Sequence, residues 1–165
     1  ERIVDLARAR GHRVLMVPNV VSTVGFDDRD HMAEVRERLG ADAREVCHVV
    51  THDARPQVLR AVLGRSRGVF STRYHPVVFA LAEGAPATGM ALDDYYTQKL
   101  RGALAWYDEA DRAVTLGDDV DGIGDGWVER GFTSDEAAVQ RRRATTTELS
   151  RQASTPFVDW LTSIG

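Results

Sequence analysis

Short apolar runs alternate with segments of helical character along most of this chain, and this alternation constrains the fold more than any other feature. The first run is short and is stopped by Pro18 and Asn19, as is typical of a buried strand. The alternation predicts βαβ units and a parallel sheet covered by helices on both faces. The predicted strands are residues 13–17, 46–50, 68–70, 87–91 and 112–116, and the predicted helices are residues 2–10, 28–39, 56–63, 76–83 and 99–106.

The predicted fold is of the α/β class, a Rossmann-like three-layer domain with a mostly parallel sheet. We assign residues 1–116 to this domain, and residues 117–165 to a helical tail that packs on the domain or crosses back from it. Ligands of such folds bind beyond the carboxyl ends of the strands. Three loops, at residues 19–28, 51–55 and 71–75, are expected at that edge of the sheet.

The composition excludes several functional classes. A net charge of −4 over 165 residues gives no overall basic surface for nucleic acid. The single cysteine, Cys47, excludes an internal disulfide, agrees with a cytoplasmic location and is expected in the core. No apolar run is long enough to span a bilayer. The chain opens inside a predicted helix and without an initiator methionine, so we expect a fragment, or one half, of a longer protein.

The segment from Ser71 to Pro76 joins a predicted strand to a predicted apolar helix and carries the strongest functional signal. Pro76 suits the first turn of a helix, which puts His75 near the N-cap. The backbone N–H groups at a helix start favour anions. Arg73 offers paired donors to phosphate or carboxylate, and His75 can transfer a proton near neutral pH. The alternative is a salt-bridged arginine beside a capping histidine.

Glu83 and Lys99 are two further candidates. Glu83 ends the same predicted helix, roughly 12 Å from His75 at about 1.5 Å per residue, so only a ligand that spans the helix would touch both. Lys99, the only lysine of the chain, follows the strand at residues 87–91, where it could neutralise a second anionic group. An exposed helix-terminal glutamate and a solvated lysine at a helix start are the structural alternatives.

Residues 69–102 resemble the polysaccharide pyruvyl transferase family. The resemblance rests on the order strand, Ser71-x-Arg73-x-His75, apolar helix, Ala82-Glu83-Gly84-x-Pro86, strand to Met90, Asp93, Asp94 and Lys99. Upstream, the strand ending in Val17-Pro18 and the later Phe26-Asp27-Asp28 also look like the second half of that family. The resemblance extends over residues 1–115 and leaves the tail uncovered.

The resemblance implies a domain like the carboxyl-terminal half of a glycosyltransferase-B-like enzyme. It implies transfer of a pyruvyl group from phosphoenolpyruvate to a sugar of a polysaccharide or its precursor, giving a pyruvyl ketal, without a cofactor or metal. Arg73 and His75 would be catalytic. The substrate-binding residues would be Ser71, Thr72, Arg73, His75, Glu83 and Lys99. A missing amino-terminal domain would hold much of the saccharide acceptor.

Two other functions remain open from the sequence alone. One is the carboxyl-terminal domain of a nucleotide-sugar glycosyltransferase, which would place a diphosphate at the same helix start. The other is a non-catalytic interaction domain. The basic run at residues 141–143 is interpreted as a solvated helix face, which would contact an anionic membrane only if the acceptor were lipid-linked.

Metal sites receive little support from the sequence. His48, His52 and Asp53 lie in a strand and its loop, where successive side chains alternate sides, so they do not form a ligand set. The Asp- and Gly-rich stretch at residues 117–126 lacks the Gly and Glu positions of an EF-hand, and we interpret it as an acidic loop.

Overall fold

The computed structural model describes residues 1–22, 24–51, 55–117, 126–132 and 134–163. Its helices are α1 (Arg2–Ala9), α2 (Asp28–Arg38), α3 (Ala41–Val46), α4 (Pro56–Leu63), α5 (Tyr74–Ala82), α6 (Asp94–Ala105), α7 (Gly126–Phe132) and α8 (Glu136–Ser163), with one 3₁₀ turn at Ala110–Arg112. Its strands are β1 (Val14–Met16), β2 (Cys47–Val49), β3 (Val69–Ser71), β4 (Ala87–Ala91) and β5 (Ala113–Thr115). Within these described ranges, no helix combines the length and the apolar character that crossing a membrane requires.

The chain forms two compact units, Glu1–Arg55 and Pro56–Gly165. In the first unit β1 and β2 pair in parallel, and a small core gathers around the fully buried Cys47, as the sequence predicts. In the second unit β3, β4 and β5 form a parallel sheet in that order. The α/β class and the parallel pairing are therefore confirmed, but the described strands form two small sheets rather than one.

The sheet of the second unit is covered on both faces. Val69 and Ala87 are buried in one core cluster with residues of α5 and α6. Phe70, the next residue of β3, packs instead against Trp127 and Phe132 of α7. Because successive side chains of a strand point to opposite faces, α5 and α6 cover one face and α7 covers the other. This gives three layers within the second unit.

Two helix starts differ from the sequence prediction. Helix α5 begins at Tyr74 with Arg73 at the N-cap, so His75 and Pro76 both lie inside the first turn. Helix α6 begins at Asp94, five residues before the predicted start, because the Asp93 side chain accepts a hydrogen bond from a backbone N–H of the first turn. Lys99 consequently lies in the middle of α6 and not at a helix start.

Two further elements depart from expectation. Helix α3 is absent from the sequence prediction, which assigns no element to residues 41–45 and begins a strand at residue 46. Helix α8 runs for 28 residues and passes through Pro156, so most of the predicted helical tail is one continuous helix. It contacts α5 in the second unit. The domain boundary at residues 116–117 stays a prediction.

Candidate active site

The motif residues lie together where β3 ends and α5 begins. Ser71 is the last residue of β3, and its Oγ accepts a hydrogen bond of 3.0 Å from the backbone N–H of Arg73, which tightens the turn. Thr72, Arg73 and His75 are exposed. The guanidinium of Arg73 has no acceptor atom, so it cannot cap the N–H groups of the first turn of α5. The turn therefore presents hydroxyl, guanidinium, imidazole and backbone donors at one place, which suits an anion.

Lys99 reaches the same place from α6. Its Nζ lies 5.2 Å from the centroid of the Tyr74 ring, a cation–π distance. The Tyr74 ring meets His75 edge-on at 5.8 Å between centroids, and His75 lies 6.1 Å from Phe79 one turn later. The fold thus brings Lys99 to the motif although 24 residues separate it from His75 in the chain. We expect the Tyr74 ring to orient the side chains of Lys99 and His75.

Tyr74 is a residue that the sequence analysis does not single out. The available signal was its position between Arg73 and His75. From the sequence, an aromatic ring at that point could equally pack in the core or line the site. Its contact with a lysine from another helix assigns it to the site.

Glu83 is not brought to the motif. It is the C-cap residue of α5, at the opposite end of the helix. Its Oε1 accepts a hydrogen bond of 2.9 Å from Nε of Arg60 on α4, and its backbone carbonyl accepts a bond of 3.3 Å from Nε of Arg143 on α8. Both contacts are structural, and binding of a sugar by Glu83 stays a prediction.

The basic run of α8 is not a solvated face throughout, which corrects the sequence interpretation. Arg142 is only 2% exposed. Its Nε donates to Glu109 Oε1 at 2.7 Å, and its Nη1 donates to the carbonyl of Gly84 at 3.1 Å and to Ser134 Oγ at 3.0 Å. Arg142 thereby fastens α8 to the carboxyl-terminal end of α5.

In the first unit, two adjacent carboxylates organise the loop after β1. Asp28 Oδ2 accepts hydrogen bonds of 2.8 Å from the backbone N–H groups of Asn19 and Val20. Asp27 is buried and accepts several hydrogen bonds from Arg29, which hold the pKa of the Asp27 carboxyl well below its ordinary range. These acids shape the loop rather than offer a free carboxylate.

Among the residues that the structure describes, the other candidate positions do not assemble into a site. A shallow cavity of about 330 Å³ in the first unit is lined by Arg36, Glu37 and His48, but the Arg36 Nε is engaged by the carbonyl of Cys47 at 2.9 Å. Among the described residues, no group of three or more potential ligands could hold a metal ion. His52, Asp53 and most of the acidic loop at 117–126 lie outside the described residues.

Comparison with known proteins agrees with the motif. A family model described as polysaccharide pyruvyl transferase matches residues 4–94, just over half of the 165 residues. The match includes the Ser71–His75 turn and the whole of α5, and it ends before Lys99. No curated protein and no solved structure matches the chain. Because the match covers more than half of the chain and includes the motif in its carboxyl-terminal third, the chain belongs to the polysaccharide pyruvyl transferase family.

Proposed function

We propose that this chain is the donor-binding half of an enzyme that transfers a pyruvyl group from phosphoenolpyruvate to a sugar, forming a cyclic ketal on a polysaccharide or its precursor. The observation that carries the proposal is the convergence of Arg73, His75 and Lys99 at the start of α5, beyond the carboxyl end of β3. Family membership supports transfer chemistry on polysaccharides. The glycosyltransferase-B-like arrangement, with an amino-terminal partner domain, belongs to the same proposal.

Phosphoenolpyruvate carries two anionic groups, and the site offers two cationic side chains. Arg73 can bind phosphate or carboxylate with two parallel hydrogen bonds, assisted by the backbone N–H groups of Tyr74 and His75. Lys99, held over the Tyr74 ring, supplies a point charge for the second anion. The hydroxyl groups of Ser71 and its neighbour Thr72 complete the cradle.

The reaction requires one proton to be added and two to be removed. His75, in its protonated form, donates a proton to the methylene carbon of phosphoenolpyruvate, which leaves a cation at C2. A sugar hydroxyl attacks C2 and loses its proton, the bond from C2 to the phosphate oxygen breaks, and a second hydroxyl closes the ring. Of the two hydroxyl protons, one restores His75 and the other leaves with inorganic phosphate. The base for the hydroxyls is assigned to the partner domain, which would also hold much of the acceptor.

Calorimetric titration of phosphoenolpyruvate, uridine diphosphate and guanosine diphosphate tests the proposal. We expect phosphoenolpyruvate to bind, and Arg73→Ala and His75→Ala each to weaken that binding about tenfold or more, a loss of about 1.4 kcal/mol or more. Arg67→Ala is the matched control, because Arg67 is an exposed arginine at the opposite end of β3.

Binding of a nucleotide but not of phosphoenolpyruvate would replace the proposal with the glycosyltransferase reading. That reading assigns Glu83 to a ribose, whereas the Glu83 carboxylate is engaged by Arg60. If none of the three ligands binds the chain, a non-catalytic interaction domain becomes the better reading.

A further inference from the structure

Two tyrosines form an exposed aromatic surface at the start of α6. Tyr95 is 70% exposed and Tyr96 is 46% exposed, and their ring centroids lie 5.3 Å apart in an edge-to-face arrangement. Leu92, 76% exposed, follows the last residue of β4 and lies three positions before Tyr95. Neither ring belongs to the core of the second unit. Contiguous exposed apolar side chains often mark a binding site, so we ask which ligand would cover this surface.

The position of these rings connects them to the proposed donor site. The strand β4 is the middle strand of its sheet and runs parallel to β3, so both strands end at the same edge. Tyr95 and Tyr96 precede Lys99 by four and three residues, spacings that put side chains on one face of a helix. Lys99 in turn lies over the Tyr74 ring, which contacts His75. The tyrosine surface therefore lies on α6 next to Lys99, which itself contacts the Tyr74 ring of the motif.

The chemistry of the surface fits a sugar ring. A pyranose has apolar C–H faces and a polar rim, and a tyrosine has an apolar ring face with a hydroxyl at its edge. Tyrosine also contributes contact area at a small loss of side-chain freedom, because only two torsions become fixed. The acceptor hydroxyls must reach C2 of the donor, so the acceptor has to lie against the donor site.

We propose that Tyr95 and Tyr96 form a platform for a pyranose ring of the saccharide acceptor, which stacks on the face of one tyrosine ring while the other ring, nearly perpendicular to it, contacts the rim of the sugar. The proposal rests on the proposed function, since it takes its substrate class from the sugar-modifying reaction. It assigns to this chain a share of acceptor recognition, alongside the share expected of a partner domain.

Saturation-transfer NMR on the 165-residue chain tests the platform, with the methyl glycosides of glucose, galactose and mannose as probes, each with and without phosphoenolpyruvate. We expect ring C–H protons of at least one glycoside to receive saturation. Tyr95→Ala/Tyr96→Ala should reduce that signal about tenfold, the scale of a lost stacking contact. The double variant to Phe should retain it. Trp106→Ala is the matched control, because Trp106 is 64% exposed at the other end of α6.

The outcomes separate the platform from the donor proposal. Silence from all three glycosides, or equal signals from the chain and its alanine double variant, overturns the platform, whatever phosphoenolpyruvate does. Glycoside binding that depends on the tyrosines, without any binding of phosphoenolpyruvate, upholds the platform and defeats the donor proposal. Sedimentation of the same samples gives a further check. Self-association that the alanine double variant abolishes would assign the surface to a second copy of this chain and overturn the acceptor platform.

Discussion

The two ends of α5 both carry polar residues, but these residues differ in their contacts and exposure. At the carboxyl-terminal end, Glu83 is bonded to Arg60, and the carbonyl of Gly84 is bonded to the buried Arg142. At the amino-terminal end, Arg73 and His75 are exposed, and an aromatic ring brings in a lysine from a second helix. One end holds helices together, whereas the other presents the Arg73, His75 and Lys99 side chains to solvent.

This difference teaches that the contacts of a polar residue, and not its place at a helix end, separate structural from functional candidates. The start of α5 combines backbone N–H donors with basic side chains from α5 and α6, which suits an anion, whereas the Glu83 carboxylate is engaged by Arg60. The following predictions test this division, from the largest expected effect to the smallest.

Replacement of Arg142 should have the largest effect on stability. Arg142→Ala removes one of the two arginines that pair with Glu109, Arg112 being the other, and leaves the Gly84 carbonyl without this donor, so we expect a loss of roughly 2–3 kcal/mol in the free energy of unfolding. Urea unfolding followed by circular dichroism measures it. Arg141→Ala, at an exposed neighbouring position, should change stability by less than about 0.5 kcal/mol. Equal effects of the two substitutions would show that α8 is not fastened through Arg142.

Gly84 should be almost as sensitive. Its φ of +90° is unfavourable for any side chain, and a Cβ there would lie 2.9 Å from Cγ1 of Val139 on α8. We expect Gly84→Ala to cost roughly 1–3 kcal/mol in thermal unfolding. Gly102→Ala, inside α6 where a Cβ meets nothing within 4 Å, should instead stabilise the chain by up to about 1 kcal/mol. A neutral Gly84→Ala would contradict the close approach of α8.

Substitution at the amino-terminal end should change affinity and leave stability intact. Arg73→Lys keeps the charge but loses the planar pair of donors, so we expect phosphoenolpyruvate affinity to fall about tenfold, or about 1.4 kcal/mol. The thermal midpoint should change little, because Arg73 is exposed and lysine keeps the positive charge. Calorimetry and a melting curve on the same sample check both statements. A lowered midpoint with unchanged affinity would make Arg73 a structural residue like Arg142.

Substitution of Glu83 should have the smallest effect, and it should change stability rather than ligand affinity. Glu83→Gln weakens a partly exposed ion pair with Arg60, for which we expect a loss of about 0.2–1 kcal/mol in unfolding free energy. Phosphoenolpyruvate affinity should be unchanged, because Glu83 lies at the far end of α5 from the motif. Arg60→Gln should reproduce the stability loss. A drop in ligand affinity for Glu83→Gln alone would restore Glu83 as a binding residue.

Much of the architecture could be read from local sequence patterns. The structure has α4 and β4 at the predicted residues, because Pro56 opens the helix and Gly84 and Pro86 separate the strand from the helix before it. The predicted start of α6 is wrong although the sequence carries the signal for the correct one. Asp93 is a strong N-cap residue, and its side chain accepts a hydrogen bond from the backbone N–H three positions later. Helix α3 was missed because six residues are too few for a hydrophobic period to show.

The grouping of the motif residues was also predictable in part. Ser71, Thr72, Arg73 and His75 are neighbours in the chain, so any strand-to-helix turn brings them together. The arrival of Lys99 depends on the packing of α6 against α5, and the role of Tyr74 depends on that arrival. The predicted loops at residues 19–28 and 51–55 lie in the first unit, so their place at one edge with the motif stays a prediction.

The sequence by itself determined the family and most of the element types in their order, because hydrophobic period, capping and chain breakers act over a few residues. Only the tertiary structure decided which charges are engaged internally. Arg142 reads as a solvated arginine between two others, yet its partners Glu109 and Gly84 lie 33 and 58 residues away. The free energy of such a contact depends on burial and on distant partners, and neither is written in the local pattern of residues.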